Sequence, residues 1–296
     1  MGSPTGPDRM QPPLAPTATA VQLRGDYADA RDDYTVEQDA EAYTAEEHAI
    51  WRDLFGRQLR LVERYAAPEF LAGVRALRAN PARIPRFADT NAVLGDLTGW
   101  QLVAVPGLIP EEHFFAHLAA RRFPVTVWIR TRAELDYLVE PDVFHDWFGH
   151  VPLLTNPVFA DILQAYGRRG PEAQRHGGLK MLARLYWYMV EFGLIRTAAG
   201  FRAYGAGMLS SAGETVHCVE DPRPNRIGFD LERVMRTDYL IDDYQRTYFV
   251  IDDYRELFEA VLNTDFVPLY ARYAHVPGHA PGTVLPTDRV LHAGTH

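Results

Sequence analysis

"LKMLARLYWYMVEFGL", residues 179–194, decides the fold class. Apolar side chains fall on nearly every face of the helix this stretch would form, so it predicts a buried central helix. One residue breaks the pattern. Glu191 is a carboxylate inside the apolar run, where an unpaired charge would cost several kcal/mol. A bound cation, a salt bridge to an arginine such as Arg184, or a neutral carboxyl with a raised pKa would each remove that cost.

Helical signals continue on either side. Thr44 and Glu47 form a capping-box pattern, followed by Trp51, Leu54, Phe55, Leu59 and Val62 at helical spacing. Pro68 suits the first turn of a second helix, ahead of Phe70, Leu71, Val74 and Leu77. "WQLVAV" (100–105) and "FPVTVWIR" (123–130) read as short strands flanking a helical "EEHFFAHLAARR". "NPVFADILQAYG" (156–167) carries an Asn cap, Pro at the first position and Gly167 as its stop. Two further helices, around 230–240 and 252–262, bracket the strand-like "RTYFVI". The sum predicts an α+β domain, mainly α, with packed helices and small β-sheets over residues 21–275. Residues 1–20, rich in Pro, Thr, Ser and Gly, predict a disordered tail, and 276–296 a flexible one.

A chain of 296 residues, 47% hydrophobic, is enough for one large domain with a sizeable core. Its net charge of -9 and pI near 5.7 argue against a nucleic-acid partner, which would favour a basic surface. Cys218 is the only cysteine, so no intrachain disulfide and no cysteine-based metal cluster is expected, in keeping with a reducing cytoplasm. The N-terminus lacks the pattern of a secretory signal, and no uninterrupted apolar run is long enough to span a membrane. The Pro/Gly-rich end has no heptad run to drive association, so a monomer is expected.

The third ingredient is "EPDVFHDWFGH", residues 140–150, which sets His145 and His150 five apart beside Asp142 and Asp146. Five residues is about 140° of turn on a regular helix, so the rings converge only if the helix distorts, and Gly149 offers a place for that. The spacing alone is weak. The pairs His113/His117 and His275/His279 read as ordinary surface or core polarity. With Glu191 as a third donor, however, two imidazoles and a carboxylate without thiolate suit a catalytic zinc or a non-haem Fe(II) facial triad. The ligand set does not choose between them. A zinc hydrolase would use Asp146 as general base.

With "LYWYMVEFGL" and "AYGAGMLSSAGE", the stretch "EPDVFHDWFGHVPLL" resembles the pterin-dependent aromatic amino acid hydroxylases, most closely their short bacterial phenylalanine-hydroxylating members. The likeness runs from about residue 22 to 275 and takes in "DYTVEQ", "YTAEEHAIWRDLFGRQL" and "LVAVPGLIP". It implies a single catalytic domain with iron in a central cleft, held by His145, His150 and Glu191. It implies tetrahydropterin, tetrahydrobiopterin or a bacterial analogue, as two-electron donor. The implied reaction takes L-phenylalanine and O2 to L-tyrosine and a 4a-hydroxytetrahydropterin.

The same resemblance assigns Val105, Gly107, Ile109 and Phe114 to the pterin loop, with Ala183 and Tyr186 on the cofactor's other side. It places Asp146, where many relatives carry glutamate, and Tyr186 at the reacting centre. Arg130 falls on the carboxylate-binding arginine and Asp142 on the acid that orients it. Ser210 and Ser211 match substrate-side hydroxyls, and Pro141, Trp187 and Phe192 the ring pocket. Leu138 departs from the threonine of animal enzymes, so that contact does not carry over. Ile241 stands where tyrosine hydroxylases carry an aspartate, which favours phenylalanine over tyrosine. Trp187 speaks against a tryptophan specialist, though a hydroxylase of another aromatic amino acid stays an alternative, as does the zinc hydrolase. The regulatory domain and tetramerisation helix of animal enzymes have no counterpart here, so allosteric control by phenylalanine is not expected.

Overall fold

Thr44 starts the first helix as its sequence predicts, its hydroxyl accepting from the Glu47 N–H while the Glu47 carboxylate accepts from the Thr44 N–H. In this computed structural model, which describes residues 23–295, that helix is α1, Ala45–Tyr65. The tail expected over residues 1–20 lies outside the described residues. Helix α2 (Pro68–Leu77) has its proline at the first turn, and α3 (Phe87–Thr98) ends on Gly99 in the left-handed region.

Strand β1 (Gln101–Val105), helix α4 (Glu111–Ala119) and strand β2 (Arg122–Thr126) form a βαβ unit. The strands pair in parallel, from Gln101 opposite Arg122 to Val105 opposite Thr126. Their carboxyl ends therefore deliver the loop after Val105 and the segment after Thr126 to one place, where ligands of parallel sheets bind.

Helix α5 (Pro157–Arg175) begins on the Asn156 side chain, with Pro157 in its first turn. It does not stop at Gly167 but runs on through Pro171 to Arg175. A Cβ at Gly167 would stand 2.4 Å from the Ala119 backbone nitrogen, and one at Gly170 2.2 Å from the Phe115 ring. These glycines let α5 approach α4 and mark no helix end.

The central helix is likewise shorter than its apolar run. Helix α6 (Leu179–Tyr186) passes into a π-helical turn, Trp187–Glu191, and the chain then extends into β3 (Leu194–Thr197) and β4 (Gly200–Ala203). Next come α7 (Ala206–Leu209), α8 (Ala212–Glu220), β5 (Asn225–Gly228), α9 (Leu231–Met235), β6 (Thr247–Ile251), α10 (Tyr254–Asn263), α11 (Val267–Tyr273) and β7 (Val290–His292). The larger sheet has the order β4-β3-β6-β5-β7, with β3, β6 and β5 parallel and both outer strands antiparallel.

Two expectations fail in this region for one reason. The helix expected to reach residue 240 ends at Met235, and residues 276–295 are docked where a flexible tail was expected. The Asp238 N–H donates to the His279 carbonyl at 2.9 Å and the His279 N–H to the Arg236 carbonyl at 2.6 Å, so the C-terminal segment takes backbone groups that a longer α9 would need. Farther on, Asp288 forms an ion pair with Arg233 at 2.9 Å, both side chains buried, and β7 covers β5.

The core is strongly aromatic. Trp51 meets Phe144 and Trp147 edge-on at 5.4 and 5.8 Å, which anchors the histidine-bearing segment to α1. Among the described residues no helix is long and apolar enough to cross a membrane.

Candidate metal centre and active site

Phe144–His150 is a π-helical turn. An i→i+5 ladder winds more residues into each turn than an α-helix, so side chains five apart approach the same face. His145 and His150 converge accordingly, with ring centroids 5.2 Å apart. Gly149 permits the packing: a Cβ there would lie 2.9 Å from the Ala206 carbonyl oxygen.

Glu191 ends the second π-helical turn, in which the Phe192 N–H donates to the Trp187 carbonyl at 2.9 Å. Its carboxylate oxygens stand 3.6 Å from His145 Nε2 and 3.1 Å from His150 Nε2. One donor atom from each of the three residues falls within 4.8 Å of the others. Arg184 is not the partner of Glu191; it is paired with Asp238. Burial presses the Glu191 pKa upward, but His150 and His145 outweigh it and hold the carboxyl below its ordinary range. Burial also lowers the His145 pKa to about 4, keeping that imidazole neutral and able to donate a lone pair.

The tautomer of His145 follows from its neighbour. The Ser210 hydroxyl donates to the Ala206 carbonyl at 2.8 Å, so it accepts from His145 Nδ1 at 2.8 Å and leaves Nε2 free for a cation. Two imidazoles and a carboxylate, with no lysine or arginine paired to the acid among the described residues, fit a divalent transition metal and specifically the three-donor facial arrangement.

These groups open onto a cavity of about 510 Å³. Val105, Gly107, Ile109, Phe114 and Tyr186 line it, as do Asp146, Arg130, Pro141, Trp187, Phe192, Ser210, Ser211 and Ile241. Two residues assigned by resemblance do not. Ala183 is buried one turn before Tyr186, and Asp142 is fully buried behind Arg130. Gly107 has φ +157, and a Cβ there would stand 2.6 Å from a Glu140 carboxylate oxygen and 2.9 Å from the Tyr27 hydroxyl, so a side chain would have to displace both. Phe114 and Tyr186, both lining the cavity, meet edge-on at 5.6 Å and present aromatic surface to it.

Asp142 takes the Nε and Nη2 hydrogens of Arg130 at 2.8 Å each, a bidentate pair that fixes the guanidinium plane. Burial would raise the Asp142 pKa, yet Arg130 more than offsets it and the acid is held low. Among the described residues, Arg130 Nη1 has no acceptor, which leaves it available to a carboxylate in the cavity. Asp146 accepts the Thr126 N–H at 2.8 Å, and burial lifts its pKa to about 7. Trp187 stacks on Tyr239 at 4.2 Å and lies 4.8 Å from Phe192, an aromatic stretch of the cavity wall.

Glu214 and Gln245 also line the cavity, and neither carries a sequence signal that would have singled it out. Glu214 lies on α8, and Gln245, two residues before β6, donates its backbone N–H to it at 3.2 Å across 31 residues of chain.

The sequence profile described as biopterin-dependent aromatic amino acid hydroxylase matches residues 19–271. The chain is 54% identical over 262 residues to the phenylalanine-4-hydroxylase of Chromobacterium violaceum, covering 88% of each chain. To the Ralstonia nicotianae protein of the same name it is 51% identical over 302 aligned positions, covering 100% of this chain and 96% of that one. The iron- and phenylalanine-bound crystal structure of the C. violaceum enzyme superposes with a TM-score of 0.84 at 53% identity, over 88% of this chain and 94% of that one. A cobalt-bound structure of the same enzyme gives 0.87. The converging triad, the profile match over residues 19–271 and the matched length together place this chain in the family of biopterin-dependent aromatic amino acid hydroxylases.

Proposed function

We propose that the protein is a phenylalanine 4-monooxygenase, using Fe(II), tetrahydropterin and O2 to convert L-phenylalanine to L-tyrosine. The observation that carries this is the single cavity in which the His145, His150 and Glu191 triad, the Val105–Phe114 loop and Arg130 meet. Bound together, iron and tetrahydropterin would supply the activation of O2 and the two electrons needed to place one oxygen atom on an aromatic ring.

The protein's own work is positioning. Arg130, held flat by Asp142, takes the substrate carboxylate through Nη1, while Trp187, Phe192 and Pro141 confine the ring. Gly107 lets the loop backbone approach the pterin, and Phe114 and Tyr186 offer it aromatic surface on one side of the cavity. Asp146, its pKa lifted by burial to about 7, sets a carboxyl next to the triad that can donate or accept a hydrogen bond toward the cofactor side near neutral pH. Buried apolar walls exclude bulk water from the reacting ring. The protein acts in the cytoplasm as a monomer, a reading supported by its single buried Cys218 and the covered edge of β5. A zinc hydrolase reading has no support in the family match.

Metal analysis with pterin-dependent oxygen uptake and tyrosine formation tests the proposal. A single iron per chain and coupled tyrosine production are expected, and His150→Ala should lose both. A His150→Ala variant that keeps full iron and full turnover would overturn it, as would wild-type turnover of tryptophan or tyrosine equal to that of phenylalanine.

A further inference from the structure

Gln245 is buried and its carboxamide is fully used. Oε1 accepts the indole N–H of Trp187 at 3.1 Å. Nε2 donates to the Leu240 carbonyl at 2.7 Å and to the Asp243 carbonyl at 3.4 Å. The backbone N–H donates to Glu214 at 3.2 Å, and the Tyr248 hydroxyl donates to the same carboxylate oxygen. The amide has only one workable orientation, because two carbonyls accept only from its NH2 end and an indole N–H donates only to its oxygen. One side chain thus ties the indole that walls the cavity to the turn that carries Ile241 into the same cavity.

The tie restrains what stacking leaves free. Tyr239 lies nearly parallel to Trp187 at 11°, which restrains tilt but permits sliding and rotation in the ring plane. A hydrogen bond at one edge removes that freedom. We infer that Gln245 is a positioning residue that sets the width of the ring pocket and, through it, the preference among aromatic amino acids. The inference rests on the reading of this cavity as an aromatic amino acid site.

Gln245→Met keeps the length of the side chain and removes both donor and acceptor. Iron content should stay at the wild-type level. The kcat/KM for phenylalanine should fall about tenfold, mainly through KM, and that for tryptophan should fall less, so selectivity drops by at least about fivefold. Gln245→Glu, assayed on the acid side where the buried side chain carries its proton, keeps an acceptor for the indole and an O–H donor for the Leu240 carbonyl, and should return selectivity to within about threefold of wild type. Wild-type selectivity in the Met variant overturns the inference, and so does an equal loss in both variants, which marks a merely structural side chain. Should the Met variant fail to fold, the Glu variant decides: retained selectivity supports the role and collapsed selectivity sinks it. Absence of turnover in the wild type would instead defeat the functional reading itself, a result separate from unchanged selectivity in an active variant.

Discussion

Burial sets the protonation of Glu214. The removal of water is the largest influence on it and lifts its pKa from 4.5 to about 7, against the opposing hydrogen bonds from Tyr248 and Gln245. The folded state thus holds this proton more tightly than the unfolded chain does. The stabilisation this gives is complete below about pH 4.5 and is lost as pH rises to about 7. Glu214→Gln stays neutral throughout and keeps an acceptor for both donors. Relative to wild type, its stability should therefore rise between about pH 5 and about pH 8, by on the order of 3 kcal/mol. Denaturant titrations at the two pH values measure this, and a pH-independent difference would mean that Glu214 is already ionised in the folded protein. Glu191 was legible in the sequence because a charge inside an apolar run is a chemical anomaly. Ser210 as the orienting partner of His145 was not, since that contact joins residues 65 apart and depends on which ring nitrogen faces the hydroxyl.

Among the elements, glycine and the π-helical turns do the shaping. Capping residues and proline located the starts of α1, α2 and α5 from sequence, because those signals act within one turn of chain. The stop of α5 was misread because Gly167 has the same one-letter signature whether it ends a helix or admits a neighbour. A π-helical turn has no composition of its own; it showed only as a histidine spacing that a regular helix cannot satisfy. The glycine argument is testable. Gly167→Ala gains up to about 1 kcal/mol of helix propensity. Its Cβ, however, would stand 2.4 Å from backbone at Ala119 and 2.6 Å from Leu118 Cβ, so α5 must move off α4. A net loss of about 1 to 3 kcal/mol is expected from overpacking, read as a lowered urea midpoint. A variant as stable as wild type would show that the two helices separate at no cost.

At the scale of the whole molecule, the C-terminal segment closes the sheet and buttresses the site. Its composition reads as tail because it has no periodic apolar face. Its attachment uses backbone hydrogen bonds, a short strand and the Arg233–Asp288 pair, none of which leaves a pattern in the sequence. Arg233 also donates to the Thr283 carbonyl at 2.6 Å, and the Thr237 and His279 backbones form a bridge two residues before Tyr239, the ring stacked on Trp187. Deleting residues 276–296 would strip the Arg233 guanidinium of both Asp288 and the Thr283 carbonyl and uncover the surface they pack on, a destabilising loss even where water replaces the lost partners. It would also bare the edge of β5 to other chains. The iron ligands lie on other elements and keep their supports. The truncated protein should therefore bind iron, melt several degrees lower and show a raised KM for phenylalanine as Tyr239 loosens. It should also associate more than the full chain does in light scattering. Unchanged melting and an unchanged KM would reduce the segment to a passive appendage, because the ion pair and the bridge would then contribute nothing to the wall they adjoin.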